Sequence, residues 1–131
     1  MKGVRCGTNG DASHGINFDV MPCKYWSNTT KMSYLQRRII VYSIMYYEAN
    51  ESCVSDRFYD NISHQLVKLM QESSVEQCKA TTYWYAFYDF DGSTGFDIPS
   101  RLNKHDKKYL SMIAKNVYNK WRIETKGKCL I

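Results

Sequence analysis

The sequence contains no run of 18 or more apolar residues, so no membrane-crossing helix is expected. Its first residues, Met1-Lys2-Gly3-Val4-Arg5-Cys6, lack the apolar stretch of a secretory signal, and the expectation is a soluble, cytoplasmic chain. Cysteine is sparse. The five residues, at positions 6, 23, 53, 78 and 129, are odd in number and form no C-x-x-C pair. That pattern disfavours a disulfide framework and points to free thiols in a reducing compartment. Internal repeats and low-complexity tracts are also missing. At 131 residues, 44% hydrophobic and 24% charged, the chain suits one domain (1–131) and is too balanced for disorder. Its surplus is aromatic: eleven Tyr, five Phe and three Trp can furnish a sizeable core.

Charge is unevenly spread. Residues 101–131 carry nine Lys or Arg against Asp106 and Glu124, a net +7, whereas the first hundred carry a net −2. A basic segment at one end can meet phosphate or an acidic partner, and can equally be an ordinary solvated helix face.

Along the chain, residues 1–32 are rich in Gly, Asn, Asp and Ser and read as a loop-rich segment. Ser33 and Gln36 stand in the S-x-x-Q spacing of a capping box, predicting a helix from there to about Ala49. Its apolar stripe is Leu35, Ile39, Tyr42 and Tyr46, widened by Ile40, Ile44 and Tyr47. After a short connection, Ser55 caps a second helix with Phe58, Ile62, Leu66 and Leu69 on one face, ending near Glu72. Helices joined by about five residues should form an antiparallel hairpin over 33–72. Residues 80–98 hold an aromatic, Thr-containing run and a D-G turn, predicting a short β-hairpin, with helix left open over 80–90 because so short a run shows no clear period. Asn103 caps a C-terminal basic amphipathic helix over 103–123, with Leu110, Ile113, Val117 and Trp121 on its apolar face. The expected class is α+β, mostly helical.

The most specific constellation runs from Tyr46-Tyr47 through an acidic connection (Glu48, Glu51) to Ser55-Asp56, then Tyr59-Asp60. It resembles the small N-terminal Ia domain of bacterial NAD-dependent DNA ligases over residues 33–72. In that family a helix ends in an aromatic pair, a short acidic loop follows, and the next helix opens with Asp followed three residues later by Tyr-Asp. The resemblance implies that Tyr46, Tyr47, Asp56, Tyr59 and Asp60 hold the nicotinamide mononucleotide half of NAD. Aromatic rings can stack on a cationic nicotinamide, and carboxylates can accept from ribose hydroxyls. Where the family often has His, this chain has Tyr47, which removes a titratable donor. The ligases' K-x-D-G adenylation motif is missing, so no self-adenylation is expected. A solitary module of this kind looks like a short phage-encoded relative. The reading is a non-catalytic protein that binds NAD or nicotinamide mononucleotide. The rival is a phage interaction protein that inhibits a host defence or NAD-using enzyme, with the same aromatics as anchors. Nucleic acid contact through the basic C-terminal helix is a less favoured partner. A nucleotide-cleaving enzyme with Asp56 or Asp60 as base is weaker still, because no nucleophile has an activating neighbour.

Other patterns are less specific. Asp89-Phe90-Asp91-Gly92-Ser93 resembles motif I of haloacid-dehalogenase phosphatases, but only 40 residues follow Asp91, too few for that fold. As an EF-hand it fails at position twelve, which is Ser100 rather than Glu. Cys6, His14 and Cys23 fit no compact zinc spacing, and no metal is expected. His64 and His105 have no partner at triad spacing and read as surface residues.

Overall fold

The computed structural model describes residues 25–48, 54–93 and 97–125, with side chains as far as Lys120. The described residues form six helices: α1 Asn28–Glu48, α2 Asp56–Glu72, α3 Val75–Lys79, α4 Trp84–Phe87, α5 Ile98–Arg101 and α6 Lys104–Thr125.

α1 is the central rod because it is apolar on several faces at once. Met32, Leu35, Ile39, Ile40, Val41, Tyr42, Ile44 and Met45 are all buried, too many for one stripe. Such a helix must be covered on both sides, and α2 and α6 do this. α2 offers a single face, burying Ile62 and Leu66 while Phe58 and Leu69 pack at its margin. Each fully buried Leu or Ile contributes roughly 1.5–3 kcal/mol. The α1–α2 pair is antiparallel. Asn28 Nδ2 at the start of α1 donates to Ser73 Oγ just past the end of α2 (3.1 Å), while Ser43 and Tyr59 meet near the opposite end (2.6 Å). α6 also runs against α1: Lys107 Nζ pairs with Glu48 at 3.1 Å, and Ile113 and Val117 lie beside the earlier residues Tyr34, Arg38 and Val41. Ser55 caps α2 by accepting from Phe58 N (3.0 Å), and Asn103 Oδ1 caps α6 by accepting from Asp106 N (2.7 Å).

The β-hairpin expected over 80–98 is overturned, and with it the α+β class. There is no strand among the described residues, and the 80–98 segment contains α4 and the start of α5. The aromatic run buries Tyr83, Ala86 and Phe87, and Phe90 meets Phe87 edge to face at 5.2 Å. Positions 83, 86, 87 and 90 follow a helical spacing, so packing against the body outweighs the strand preference of Thr and Tyr. Residues 94–96 lie outside the described set.

The expected start of the first helix is also corrected. α1 begins at Asn28, where Ser27 Oγ accepts from Thr30 N at 3.2 Å. Ser33 and Gln36 are interior residues of α1 that hold the 81–83 segment instead. Ser33 Oγ accepts from Thr82 N (3.0 Å), buried Gln36 Nε2 donates to Thr81 Oγ1 (2.8 Å), and Gln36 Oε1 accepts from Tyr83 N (2.9 Å). A true capping box of the same S-x-x-Q form opens α3, between Ser74 and Gln77. Ala49 and the side chain of Trp121 fall outside the described residues. Among those described, no helix is long and apolar enough to cross a membrane.

Candidate functional site

A cavity of about 260 Å³ opens where α1 ends and α2 begins. Tyr42, Ser43, Tyr46 and Tyr47 line it from α1; Val54, Ser55, Asp56, Tyr59 and Asp60 line it from the start of α2; Ser93 closes one side. All five residues singled out in the ligase-like motif, Tyr46, Tyr47, Asp56, Tyr59 and Asp60, therefore face one space. The antiparallel hairpin brings them together: the last turn of α1 and the first turn of α2 must sit side by side.

Each wall has its own chemistry. Tyr46 and Tyr47 are 49% and 41% exposed, and their rings meet edge to face with centroids 4.8 Å apart. Perpendicular rings let a planar ligand lie flat on one and meet the edge of the other. Tyr59 lies deeper, with its hydroxyl 2.6 Å from that of Ser43. Burial pushes the Tyr59 hydroxyl above its ordinary pKa, the Ser43 contact pulls it back, and Tyr47 and Asp60 add to the rise. Tyr59 thus stays a neutral donor or acceptor through the physiological range. Asp56 and Asp60 are exposed at the rim, and among the described residues the lining includes no Lys, Arg or His. The cavity is aromatic and acidic, suited to a cation bearing hydroxyl groups.

Sequence reasoning missed Ser43, Tyr42 and Ser93 as parts of this site. Ser43 stands one helical turn before Tyr46 and Tyr47, a spacing that could have found it. Ser93 arrives from a distant turn and carries no sequence signal.

That turn also decides the Asp89–Ser93 readings. Arg101 Nη1 donates to Asp89 Oδ1 (2.6 Å) and to the carbonyl of Ala86 (3.2 Å), and Nη2 donates to Asp89 Oδ2 (3.3 Å) and Asp97 Oδ2 (3.0 Å). The Arg101 contact holds Asp89 below the usual carboxylate range. Asp91 Oδ1 accepts from Ser93 N (2.9 Å) and Ser93 Oγ (2.6 Å). The two carboxylates are committed to shaping a turn, and neither is poised as nucleophile or acid. Gly92 sits at φ 87, and a Cβ there would come within 3.2 Å of His64 Cδ2 and Val67 Cγ2.

Among the described residues, no three His, Cys, Asp or Glu side chains gather to hold a metal ion; Cys6, His14 and Cys23 lie outside that set. Buried Cys78 is a free thiol that donates to the Met70 carbonyl at 3.6 Å, and burial raises its pKa, which suppresses reactivity. His64 and His105 are exposed.

Comparison with family models, curated proteins and solved structures finds no match to the chain.

Proposed function

We propose that this protein is a small, non-catalytic binding protein that holds the nicotinamide riboside half of a nicotinamide nucleotide, NAD or nicotinamide mononucleotide. The observation that carries the reading is the convergence of Tyr46, Tyr47, Asp56, Tyr59 and Asp60 on one aromatic, acidic cavity. At about 260 Å³ it lies just below the roughly 300–1,000 Å³ of drug-sized ligand pockets, a volume suited to a nucleoside rather than a whole dinucleotide. The oxidised nicotinamide ring is cationic and planar, which matches the tyrosine faces and the two carboxylates. Asp56 and Asp60 accept from ribose hydroxyls, and Tyr59 hydrogen-bonds beside them. On this reading the protein works in the cytoplasm, that of a host cell if it is phage-encoded.

Calorimetric titration with nicotinamide riboside, nicotinamide mononucleotide, NAD and ADP-ribose tests it. The first three bind and ADP-ribose, which lacks the nicotinamide ring, does not. Tyr47→Ala and Asp60→Ala each weaken binding by roughly 5- to 150-fold, with folding intact. Micromolar binding that survives both substitutions together would defeat the assignment.

A second reading is a protein-interaction role, such as inhibition of a host defence or NAD-using enzyme. It draws on exposed Tyr85, Tyr109 and Met112, of which Tyr85 is held by donating to Asp106 on α6 (2.6 Å). On that reading no nucleotide binds at millimolar concentration, and partner capture falls after Tyr109→Ala.

A further inference from the structure

A second cavity, of about 290 Å³, lies between α1 and α6 and has the opposite charge. Tyr34, Arg37, Arg38, Val41 and Tyr42 line it from α1 and Ile113 and Val117 from α6, with no Asp or Glu in the lining among the described residues. Arg38 is unusual. Its Nη1 donates to Tyr34 Oη and its Nη2 to Tyr42 Oη, both at 2.5 Å. Its guanidinium carbon stands 5.4 Å from the ring centres of Tyr34 and Tyr42 and 5.9 Å from that of Phe58.

Two neutral hydroxyls and three ring faces hold this cation in place, but none of them neutralises it. Among the described residues, no carboxylate lies within ion-pairing distance of Arg38 or of its exposed neighbour Arg37. A guanidinium has five N–H donors, and only two of those on Arg38 meet the tyrosines. Burial disfavours this charge, but the contacts with Tyr42 and Tyr34 more than offset that and hold its pKa above the ordinary value. A bound anion would add the counter-charge that neutral hydroxyls lack.

We propose that this groove binds a nucleotide phosphate. Arg38 supplies a fork-shaped guanidinium fixed by its two tyrosine bonds, with its other three N–H donors for the anion, and Arg37 a second, exposed cation. Consecutive positions on a helix point about 100° apart, so the two guanidiniums approach an anion from different sides. That arrangement suits a tetrahedral phosphate better than a flat carboxylate taken end-on by one fork. Val41, Ile113 and Val117 form an apolar floor on which the attached base or sugar can lie. The phosphate can belong to a free mononucleotide or to a single-stranded nucleic acid. This site is separate from the acidic cavity and does not depend on its reading.

The test follows the Arg38 Nε–H and Ile113 methyl NMR signals during titration with inorganic phosphate, AMP and a short single-stranded oligonucleotide. Phosphate and AMP shift both signals, and AMP binds at least about tenfold more tightly because its body covers the apolar floor. Arg37→Gln, at an exposed position, weakens AMP by roughly 10- to 150-fold without changing the melting temperature. Arg38→Lys keeps the charge and loses the fork, and it weakens AMP while folding persists by circular dichroism. Oligonucleotide binding that exceeds AMP, falls steeply with salt and needs Arg37 assigns the phosphate to nucleic acid. Signals unmoved by millimolar AMP, phosphate and oligonucleotide, or AMP binding unchanged in Arg37→Gln, would overturn the proposal.

Discussion

The hydroxyl groups of Ser43 and Tyr59 meet at 2.6 Å across the α1–α2 interface, at the inner wall of the acidic cavity. One contact therefore serves both the packing of the hairpin and the shape of the site. Tyr59→Phe is expected to cost about 1 kcal/mol of stability, and Ser43→Ala a similar amount. A double-mutant cycle by urea denaturation should show the two changes to be non-additive by most of that value. Additive effects would mean that the hydroxyls act independently.

Alkaline pH should destabilise the fold through three tyrosines. Burial raises the pKa of Tyr59, Tyr83 and Tyr85 above the ordinary 10.0; Tyr85, which also donates to Asp106, is pushed up to about 12. A raised folded-state pKa means that the fold prefers the neutral phenol. Its stabilisation is fully present below about pH 10 and is lost as pH rises through the folded values toward about 12. Melting temperatures should begin to fall near pH 9, where the raised pKa of the buried Cys78 thiol contributes, and fall further above about pH 10. Tyr85→Phe should flatten part of that later decline.

Gln36 and Gln77 share a sequence context and should differ in consequence. Gln36→Leu strands Tyr83 N inside the core and removes the donor to Thr81 Oγ1, which keeps its own bond to the Cys78 carbonyl, at a cost of roughly 1–3 kcal/mol. Gln77→Leu loses one arm of an exposed cap and should cost about 0.5–1 kcal/mol. Equal losses in thermal unfolding would contradict this assignment.

Gly92→Ala should destabilise by about 1–2 kcal/mol, because its positive φ is strained for an L residue and the new methyl presses on His64 and Val67. The turn also carries Ser93 to the acidic cavity, so any ligand bound there should weaken too. A variant as stable as the parent would show that the turn yields easily.

The helical hairpin was legible because its signals are local. Ser55 and Asn103 are followed at once by their helices, and the five motif residues span one connection, so hairpin closure alone unites them. Two kinds of information were not local. The S-x-x-Q pattern occurs at Ser33 and at Ser74, and only tertiary contact tells a buried bridge from a cap. The aromatic run at 80–90 has strand-like composition, yet its burial pattern follows a helix. Arg38 belongs to no motif, and the lack of a carboxylate beside it among the described residues is visible only in three dimensions.

The central position of α1 also sets an order of events during folding. Its partner α2 follows after a short connection, whereas Lys107 must close a loop of some sixty residues to reach Glu48. Contacts of small sequence separation form first, so the α1–α2 hairpin should gain protection before α6 docks. The α1 and α2 walls of the acidic cavity are then built early and locally. Ser93 joins them later, and the arginine-lined groove is completed only when the far end of the chain arrives. Pulse-labelled hydrogen exchange would show α1 and α2 amides protected ahead of those in α6; simultaneous protection would refute that order.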